Sequence, residues 1–394
     1  MKCSILMLCL STILTIKGEE LAEVEEFKKI NILFTGNLYK ELLKTNTENL
    51  VVCPFSIQTV LAMIHAGAGG NTAKELATGS NFPDDSTKVQ SFFKVLKLEE
   101  SQLYILKSVN KLYLANRFKI DDNYRSIVNN VFKADIESIN FIESKKAAYT
   151  INNWVENQTQ NKIKNLIKGD YLGGDTVSVL VNAIYFNADW LDPFHSPLTQ
   201  RRTFNINRAK QEEVDMMHTV LDAFIHDNEK LNAQFLELPY QSEDVTMTFV
   251  LPFEIEGFSH LENNIEEVLK RQPFDDMREV HIVIPKFKME TSISLEPIMQ
   301  NLGIQEAFTR SANFSGMTVN HPIYLSHVEQ KAFIEVTEKG TTAGAATFAI
   351  SEDRSFGGSR FIANHPFIYL IRHKINGILF VGKFVNPIGT MISM

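Results

Sequence analysis

The run from Val177 to Phe186 is the sequence feature that most restricts what this chain can fold into. It is nearly continuous in apolar side chains and rich in β-branched ones, which is typical of a central strand of a β-sheet. Beyond Trp190 the chain continues as a series of strand-like segments, whereas helical patterns dominate the sequence before the run. Strands grouped after helices indicate an α+β fold. No repeat or Pro/Gly-rich linker divides the sequence, so we expect one large domain.

Helices are predicted where apolar residues recur every three or four positions. Phe27 to Leu42 forms one such face, and Pro54 begins a second helix after a short buried strand at Leu50 to Cys53. Further helices are predicted at Asn152 to Lys168, Leu261 to Arg271 and Leu295 to Leu302. Further strands are predicted at Val109 to Leu114, Phe235 to Leu238, Thr246 to Leu251, Val280 to Ile284, Ala332 to Val336, Phe361 to Ile371 and Ile378 to Phe384.

The first 18 residues predict a secretory signal peptide. Lys2 is followed by an apolar run from Ile5 to Ile16 that ends near Lys17 and Gly18, after which the chain becomes acidic. A membrane-spanning helix needs about 20 apolar residues, so this run is too short to be one. A buried N-terminal helix is the alternative. We expect a secreted, extracellular protein whose single mature domain covers residues 19–394.

Composition and short motifs narrow the classes of function. The formal net charge of −8 argues against a general nucleic-acid binder. The sequence has no nucleotide-binding loop, zinc-protease motif or hydrolase nucleophile elbow, and its scattered histidines form no metal-binding pattern. We therefore expect no enzyme activity and no cofactor, although a catalytic triad is recognised only by geometry. Cys53 is interpreted as a buried small hydrophobic residue rather than a reactive thiol.

The stretch from Glu338 to Ser355 is unusual because one of its alternating registers holds only small side chains. That register consists of Thr341, Ala343, Ala345, Thr347, Ala349 and Ser351. In a strand these six would share one face, which an ordinary buried strand fills with Val, Ile or Leu. The residues alone leave two interpretations open: a flexible surface loop, and a mobile segment that becomes a strand beneath an already packed structure.

Several sequence blocks, spread in order along the chain, carry a family resemblance. They are Asn49 to Ile57, Leu180 to Trp190, Asn301 to Ile304, Phe314 to Met317, His327 to Gly340, Asn364 to Phe367 and Gly382 to Pro387. Together they resemble the signature segments of the serpins, a family of serine protease inhibitors. The resemblance extends from about Phe27 to Pro387.

The resemblance implies the serpin fold of three β-sheets and eight or nine helices, with an exposed reactive loop at about residues 338–360. The family's hinge has two acidic residues before a glycine, and here Lys339 replaces the second acid while Gly344 stands where alanine is commoner. Residues that match the hinge are Glu338, Gly340, Thr341, Ala343, Ala345, Ala346 and Thr347.

The family spacing of fourteen residues beyond the hinge glycine places the reactive bond at Arg354–Ser355. A trypsin-like protease cleaves after arginine because an acid in its specificity pocket pairs with the guanidinium. Arg360 is a second candidate for this role. The resemblance also implies a switch region that controls opening of the central sheet, for which ordinary core packing is the alternative. It consists of Ser56, Asn182, Trp190 and His327.

The sequence thus predicts a secreted, monomeric suicide-substrate inhibitor of trypsin-like serine proteases, without a nucleic-acid or membrane partner. Arg354 at the predicted reactive bond would suit a target protease from an extracellular cascade such as clotting or innate immunity. The alternative is a non-inhibitory serpin that acts as a carrier or chaperone. Sequons at Asn157 and Asn313 predict N-glycosylation. A helix carrying Lys88, Lys94 and Lys97 predicts either a heparin-like polysaccharide site or a solvated face.

Overall fold

The structure of the protein is a computed structural model that describes residues 2–96, 103–274, 277–319, 322–339, 358–388 and 391–393. For residues 2–17 and 391–393 only the backbone is described. Nine α-helices and fifteen strands lie within these ranges. The predicted α+β class is confirmed.

Helices dominate the first half of the chain, and their ends follow local sequence signals. Pro54 occupies the first turn of α2, where its missing N–H costs nothing. The side chains of Asp85 and Asp121 accept backbone N–H groups at the starts of α4 and α5. The helices are α1 Lys2–Leu43, α2 Pro54–His65, α3 Gly70–Ser80, α4 Ser86–Val95, α5 Asp122–Val131, α6 Ser144–Gln158, α7 Phe258–Asn263, α8 Ile265–Val268 and α9 Glu296–Asn301.

Strands dominate the second half, and the predicted central strand is β4. The strands are β1 Leu50–Val52, β2 Tyr104–Ala115, β3 Asp135–Ile139, β4 Ser178–Ala188, β5 Gln200–Asn205, β6 Gln211–Asn228, β7 Ala233–Pro239, β8 Val245–Pro252, β9 Arg278–Pro285, β10 Phe287–Ser294, β11 His327–Val336, β12 Ser359–Ile362, β13 Phe367–His373, β14 Gly377–Phe384 and β15 Met391–Ser393. Ten of the eleven residues of β4 are buried, as expected for a strand covered on both faces.

Six strands form one sheet in the order β15-β10-β11-β4-β2-β3. The other nine form a connected set in which the long strand β6 takes part twice. Its first part pairs with β5 and β9, and its last five residues pair with β7. Counting the two halves of this set separately gives the three sheets that the family resemblance implies, with β6 continuous between two of them.

Two hydrophobic cores hold these layers together. The larger core packs α1 and α2 against the sheets and includes Phe27, Phe55 and Phe186. The smaller core lies between α6 and the outer face of the six-stranded sheet, and includes Ile151 and Phe333. The six-stranded sheet is therefore buried on both faces.

Three predicted segments differ from the structure. The helix predicted from Asn152 to Lys168 ends at Gln158 and continues as an irregular segment. The helix predicted from Leu261 to Arg271 consists of the two short helices α7 and α8. The strand predicted from Phe361 to Ile371 is two strands, because Pro366 has no N–H for a continuous ladder.

Across the described ranges, none of the helices combines the length and the apolar character needed to span a bilayer.

Candidate functional site

The paired strands β4 and β11 lie where the chain enters the predicted reactive loop. These two strands run parallel, with His327 opposite Val179 at one end and Ile334 opposite Phe186 at the other. Their outer neighbours, β2 and β10, are each antiparallel to them. We call the β4–β11 pairing the seam. Beyond β11 the chain leads directly into residues 340–357, which lie outside the described ranges.

A buried hydrogen-bond network lies beneath the seam, centred on Asn182. The amide nitrogen of Asn182 donates to the backbone carbonyl oxygen of Ser56 (3.4 Å) and to the side-chain oxygens of Ser56 and Asn110. The hydroxyl oxygens of Ser56 and Ser108 are 2.8 Å apart. The structure therefore brings together Ser56 and Asn182, which the resemblance places in the switch region, and adds Ser108 and Asn110 to them.

Gln330 connects the two strands of the seam to α2. Its Nε2 donates to the side-chain oxygen of Asn182 (2.5 Å) and to the carbonyl oxygen of Cys53 (3.3 Å). Its Oε1 accepts the backbone N–H of Cys53 at 3.3 Å. Gln330 on β11 thus bonds to β4 and to the start of α2, with no exposed surface of its own. Separating β4 from β11 would break the bond between Gln330 and Asn182.

The structure places His327, the remaining residue of the predicted switch region, apart from the Asn182 network. His327 starts β11 opposite Val179 and is only partly buried. Alternation along the strand places it on the other face from Gln330, three residues later. The sequence contained a signal for Gln330: Val328, Ala332 and Ile334 alternate with it as a buried face, so Gln330 is the polar position of an apolar stripe.

Trp190 holds the chain that follows β11. Its indole Nε1 donates to the carbonyl oxygen of Thr337 (2.9 Å), and its backbone N–H donates to that of Lys339 (3.0 Å). The ring is 2% exposed and stacks on Tyr240, with centroids 4.4 Å apart. The backbone N–H of Phe194 donates to Glu338 (2.7 Å). Trp190 therefore contacts the beginning of the predicted hinge.

The Glu338 side chain is held by two partners that sequence reasoning did not identify. Lys286 Nζ donates to one carboxylate oxygen and Thr199 Oγ1 to the other, each at 2.9 Å. Burial alone would raise the pKa of Glu338, but these hydrogen bonds and the charge of Lys286 lower it below the ordinary value of 4.5. The carboxylate therefore fixes the start of the hinge in its ionised form.

An irregular segment from Thr159 to Lys168 crosses the outer face of the seam, and we call it the strap. Lys331 on β11 donates to the carbonyl oxygen of Lys164 at 2.6 Å, and Lys162 lies 3.7 Å from Glu335. Asn152 on α6 bonds both backbone groups of Ile167, at 2.8 and 2.9 Å. Opening of the seam must displace or bypass this segment.

The remaining hinge residues and the predicted reactive bond lie outside the described ranges. They are Gly340, Thr341, Ala343, Ala345, Ala346, Thr347, Arg354 and Ser355. Arg360, the second candidate, is exposed but lies within β12, opposite His281 of β9. A residue in a paired strand fits poorly into a protease cleft, because the cleft binds an extended, unpaired peptide.

The residues predicted for N-glycosylation and for polysaccharide binding differ in how far they are exposed and in their contacts. Asn157 is exposed at the end of α6. Asn313 is also exposed, but its side-chain nitrogen lies against the turn at Gly69. Lys88 forms ion pairs with Glu23 (3.6 Å) and Glu26 (3.2 Å), which disfavours it as a polyanion ligand. Lys94 is exposed and Lys97 lies outside the described ranges.

Cys53 lies in the core, as its sequence context predicts. It has no exposed surface, and burial raises the pKa of its thiol far above the usual range. Its sulfur accepts the backbone N–H of Ser56 at 3.4 Å, which caps α2. A neutral thiol in this position is a structural group rather than a nucleophile.

Comparison with known proteins agrees with this geometry. Residues 29–387 match the family model described as Serpin (serine protease inhibitor). Human plasminogen activator inhibitor 2 is 34% identical, and the match covers 92% of this chain and all of that protein.

Solved structures show the same fold. Serpin48 of the insect Tenebrio molitor superimposes with a TM-score of 0.84 at 34% identity, covering 92% of this chain and 98% of that one. Human thyroxine-binding globulin, complexed with thyroxine, gives a TM-score of 0.84 at 28% identity, with 93% and 99% coverage. The predicted serpin fold is confirmed, and this chain belongs to the serpin family of serine protease inhibitors.

Proposed function

We propose that this protein is a secreted suicide-substrate inhibitor of trypsin-like serine proteases. The observation that carries the proposal is the seam. A parallel pair, β4 and β11, lies between antiparallel neighbours, and the stretch from Glu338 to Ser355 begins two residues after β11 ends at Val336. A chain that turns back after β11 would run antiparallel to both strands of the pair. It can therefore hydrogen-bond on both sides and make the local sheet antiparallel throughout.

The length and composition of the stretch suit such an insertion. Gly340 to Arg354 is 15 residues long, so it spans roughly 50 Å if extended. The six-stranded sheet is covered on both faces, with Gln330 beneath the seam and the strap above it. Small side chains can enter between these layers with little repacking, whereas a charged side chain would be buried without a partner.

Inhibition is then a competition between two rates. The protease attacks the carbonyl carbon of Arg354 as in a substrate and forms an ester to its catalytic serine, while the amine of Ser355 leaves. The freed loop inserts and carries the attached protease with it, which distorts the catalytic site before water can hydrolyse the ester. Each ~1.4 kcal/mol in the insertion barrier changes this rate about tenfold.

The predicted reactive bond, Arg354–Ser355, is tested by incubating the protein with trypsin. We expect a complex that survives SDS, and a released C-terminal peptide that begins at Ser355. Arg354→Glu should abolish the complex, whereas Arg360→Glu, the same charge change six residues later, should retain it. Cleavage after Arg360 with an intact Arg354–Ser355 bond would contradict the assignment.

The insertion step is tested separately at Ala345, on the small-residue face. Ala345→Glu should convert the inhibitor into a substrate that trypsin cleaves completely without a complex, because insertion would bury an unpaired carboxylate at a cost of several kcal/mol. Ala345→Ser, which stays small, is the control. An SDS-stable complex with Ala345→Glu at the wild-type yield would exclude insertion of this face.

The alternative function is that of a non-inhibitory carrier or chaperone, and thyroxine-binding globulin shows that a protein of this fold can bind a small molecule. The small residues of the hinge favour inhibition, because bulky, charged or Pro residues are commoner there in non-inhibitory serpins. Complete cleavage of the wild-type protein without any complex would support the alternative.

Secretion is supported by where the core begins. Residues 18–22 are exposed, and the first core residue among those described is Val24. Cleavage after Gly18 would therefore remove none of the side chains that the structure describes as buried. Expression in a eukaryotic secretory cell should yield secreted protein beginning near Glu19, with a glycan at Asn157 or Asn313 that an N-glycosidase removes. Retention inside the cell with Met1 or Lys2 at the N-terminus would contradict secretion.

Binding of a heparin-like polysaccharide is a separate and weaker proposal, since it now rests on Lys94 and Lys97 without Lys88. Heparin should accelerate trypsin inhibition severalfold if it holds, and the double variant Lys94→Ala/Lys97→Ala should remove the acceleration. Equal rates with and without heparin would exclude it.

A further inference from the structure

A cavity of about 540 Å³ lies between the end of α1, the β5–β6 turn, α7 and the chain after β14. Its volume is in the range of small-molecule sites. None of the described residues in its wall belongs to the seam, the hinge or the strap. A ligand in this cavity would therefore contact a part of the chain that the proposed inhibition does not use.

The charges of the wall are nearly balanced. Among the described residues, three carboxylates and two ammonium groups line the cavity, and these are Glu48, Glu256, Glu262, Lys210 and Lys383. Lys383 and Glu262 form an ion pair at 2.9 Å. A wall with so little net charge favours a neutral ligand over a strongly ionic one, because binding selects for electrostatic complementarity.

Lys383 is the buried polar group of the wall. Its side chain is 2% exposed, and its Nζ donates to the carbonyl oxygen of Asn46 (3.0 Å) and to Oε1 of Glu262 (2.9 Å). An ammonium group has three N–H donors, so one remains for a ligand. An uncharged carbonyl oxygen is a suitable acceptor, since Glu262 would repel a second carboxylate at this point.

Other polar groups of the wall have hydrogen-bonding capacity to spare. Within the described part of the chain, Oε2 of Glu262 accepts no hydrogen bond, and the side-chain nitrogens of Asn207 and Asn386 donate none. Ser259 adds an exposed hydroxyl. The wall thus offers both donors and acceptors. A ligand hydroxyl donates and accepts at once, so a molecule with several hydroxyls can pair with this mixture.

Apolar side chains complete the wall. Phe258 at the start of α7 is half-buried, and Ile206 and Val385 lie in the wall with it. An aromatic ring offers a flat apolar face against which a C–H surface or a methyl group can pack. Polar groups on one part of the wall and an aromatic face on another match a sugar, whose hydroxyls surround a ring with an apolar face.

We propose that this cavity binds a neutral N-acetylated sugar of one or two rings. The acetamido carbonyl oxygen accepts the remaining N–H of Lys383, and the ring face packs against Phe258. The sugar hydroxyls bond to Glu262, Asn207 and Asn386. Failure of this proposal would leave the proposed protease inhibition unaffected, and loss of inhibition would not disprove sugar binding.

The probe for the test is N,N′-diacetylchitobiose, titrated by calorimetry into the folded full-length protein at pH 7. We expect one site per chain. Cellobiose has the same two rings and linkage but hydroxyls in place of the acetamido groups. It should bind about tenfold more weakly, because the N–H of Lys383 loses its carbonyl acceptor. Equal affinity for the two disaccharides, or no binding of either at millimolar concentration, would overturn the proposal.

Variants on α7 place the site. Ser259→Phe should weaken binding of diacetylchitobiose about tenfold or more, because the added ring occupies space that the sugar needs. Asn263→Phe adds the same ring one turn later, at an exposed position outside the wall, and should bind like the wild type. If the two variants bind alike, the cavity is not the site.

The role of Lys383 is tested with the double variant Lys383→Met/Glu262→Gln, which removes both charges of the buried pair so that neither is left alone. Provided that its circular dichroism is native, we expect it to bind diacetylchitobiose and cellobiose with equal affinity. A preference for diacetylchitobiose that persists in this variant would contradict the contact between the acetamido group and Lys383.

Discussion

At the scale of single residues, we expect the buried side-chain amide of Gln330 to stabilise the seam. Its side chain bonds to Asn182 across the seam and to both backbone groups of Cys53. Gln330→Ala would leave buried polar groups on two elements without partners, and each such group costs about 1–3 kcal/mol. We expect a lower free energy of unfolding in urea, and faster spontaneous opening of the seam on warming, seen as polymers on a native gel.

His327 provides the matched control for this substitution on the same strand. Because its side chain lies on the opposite face of β11 and outside the network, His327→Ala should change the free energy of unfolding by less than about 0.5 kcal/mol. A larger loss for His327→Ala than for Gln330→Ala would show that the switch depends on His327 after all.

The Glu338 carboxylate makes hinge anchoring depend on pH. Its pKa is lower in the folded protein than the ordinary 4.5, so the stabilisation is fully present above about pH 4.5 and is lost as the pH falls through the lowered pKa. We expect Lys286→Met to cost about 1 kcal/mol at pH 7, because Lys286 is 43% exposed and solvent screens the pair.

The pH dependence separates this effect from lost packing. Unfolding free energies of the wild type and Lys286→Met should differ at pH 7 and converge at an acidic pH below the lowered pKa of Glu338. Lys270→Met, which breaks an exposed pair with Glu267, serves as the comparison and should have little effect at pH 7. A cost for Lys286→Met that is the same at both pH values would contradict the anchoring.

At the scale of elements, patterns of apolar residues predict the strands correctly where a strand is buried along most of its length. The runs of β4, β8 and β14 are apolar along most of their length, and the sequence predicts all three. The sequence does not predict the long strand β6, because acidic residues and histidines interrupt its apolar pattern along its length. The sequence also carries the alternation of β10, in which every second residue is buried, as a signal for a half-buried strand.

The strap explains why a helix was wrongly predicted beyond Gln158. Ile163, Leu166 and Ile167 have helical spacing and are buried, but they pack on the sheet from an irregular backbone. Gln160, Asn161 and Asn165 have φ values of 53°, 60° and 52°, in the left-handed region. Asparagine adopts this region at low cost, so local polar residues ended the helix that the apolar spacing suggested.

Asn152 is the residue that ties the strap to α6, through two hydrogen bonds to Ile167. Asn152→Ala should release the strap locally, at a cost of about 1–2 kcal/mol. In hydrogen exchange monitored by mass spectrometry, we expect faster exchange in residues 160–168 and unchanged exchange in α2. If the strap limits opening of the seam, this variant should also inhibit trypsin with fewer molecules cleaved per complex formed.

Asn153 is the control for that experiment, as an exposed neighbour on the same helix for which Asn153→Ala should have no effect. Slower exchange in the strap of Asn152→Ala, or exchange equal to that of the wild type, would show that other contacts hold the strap. The ion pair of Lys162 with Glu335 would then be the next to examine.

At the scale of the whole molecule, the family resemblance predicted the fold, and the residues alone predicted its class. Pairings between distant segments could not be read from local patterns. Glu338 meets Lys286 and Thr199, which lie 52 and 139 residues away in sequence, and Asn182 meets Ser56 across 126 residues. Such contacts arise from strand order, and strand order is a property of the folded sheet rather than of any one segment.

The described sheet is closed at the seam, and this suggests that the chain has a more stable arrangement available after cleavage. An inserted strand with about ten hydrogen bonds, each worth about 0.5–1.5 kcal/mol net, would add roughly 10 kcal/mol of stability. At about 2 °C per kcal/mol for a large domain, the melting temperature should rise by roughly 20 °C after cleavage at Arg354–Ser355. Calorimetry of intact and trypsin-cleaved protein measures this difference directly.

Cleaved Ala345→Glu should show little or none of the rise, because its loop cannot enter the sheet without burying a charge. If cleaved wild-type protein melts at the temperature of the intact form, the stretch does not insert, and the carrier alternative would account better for this chain.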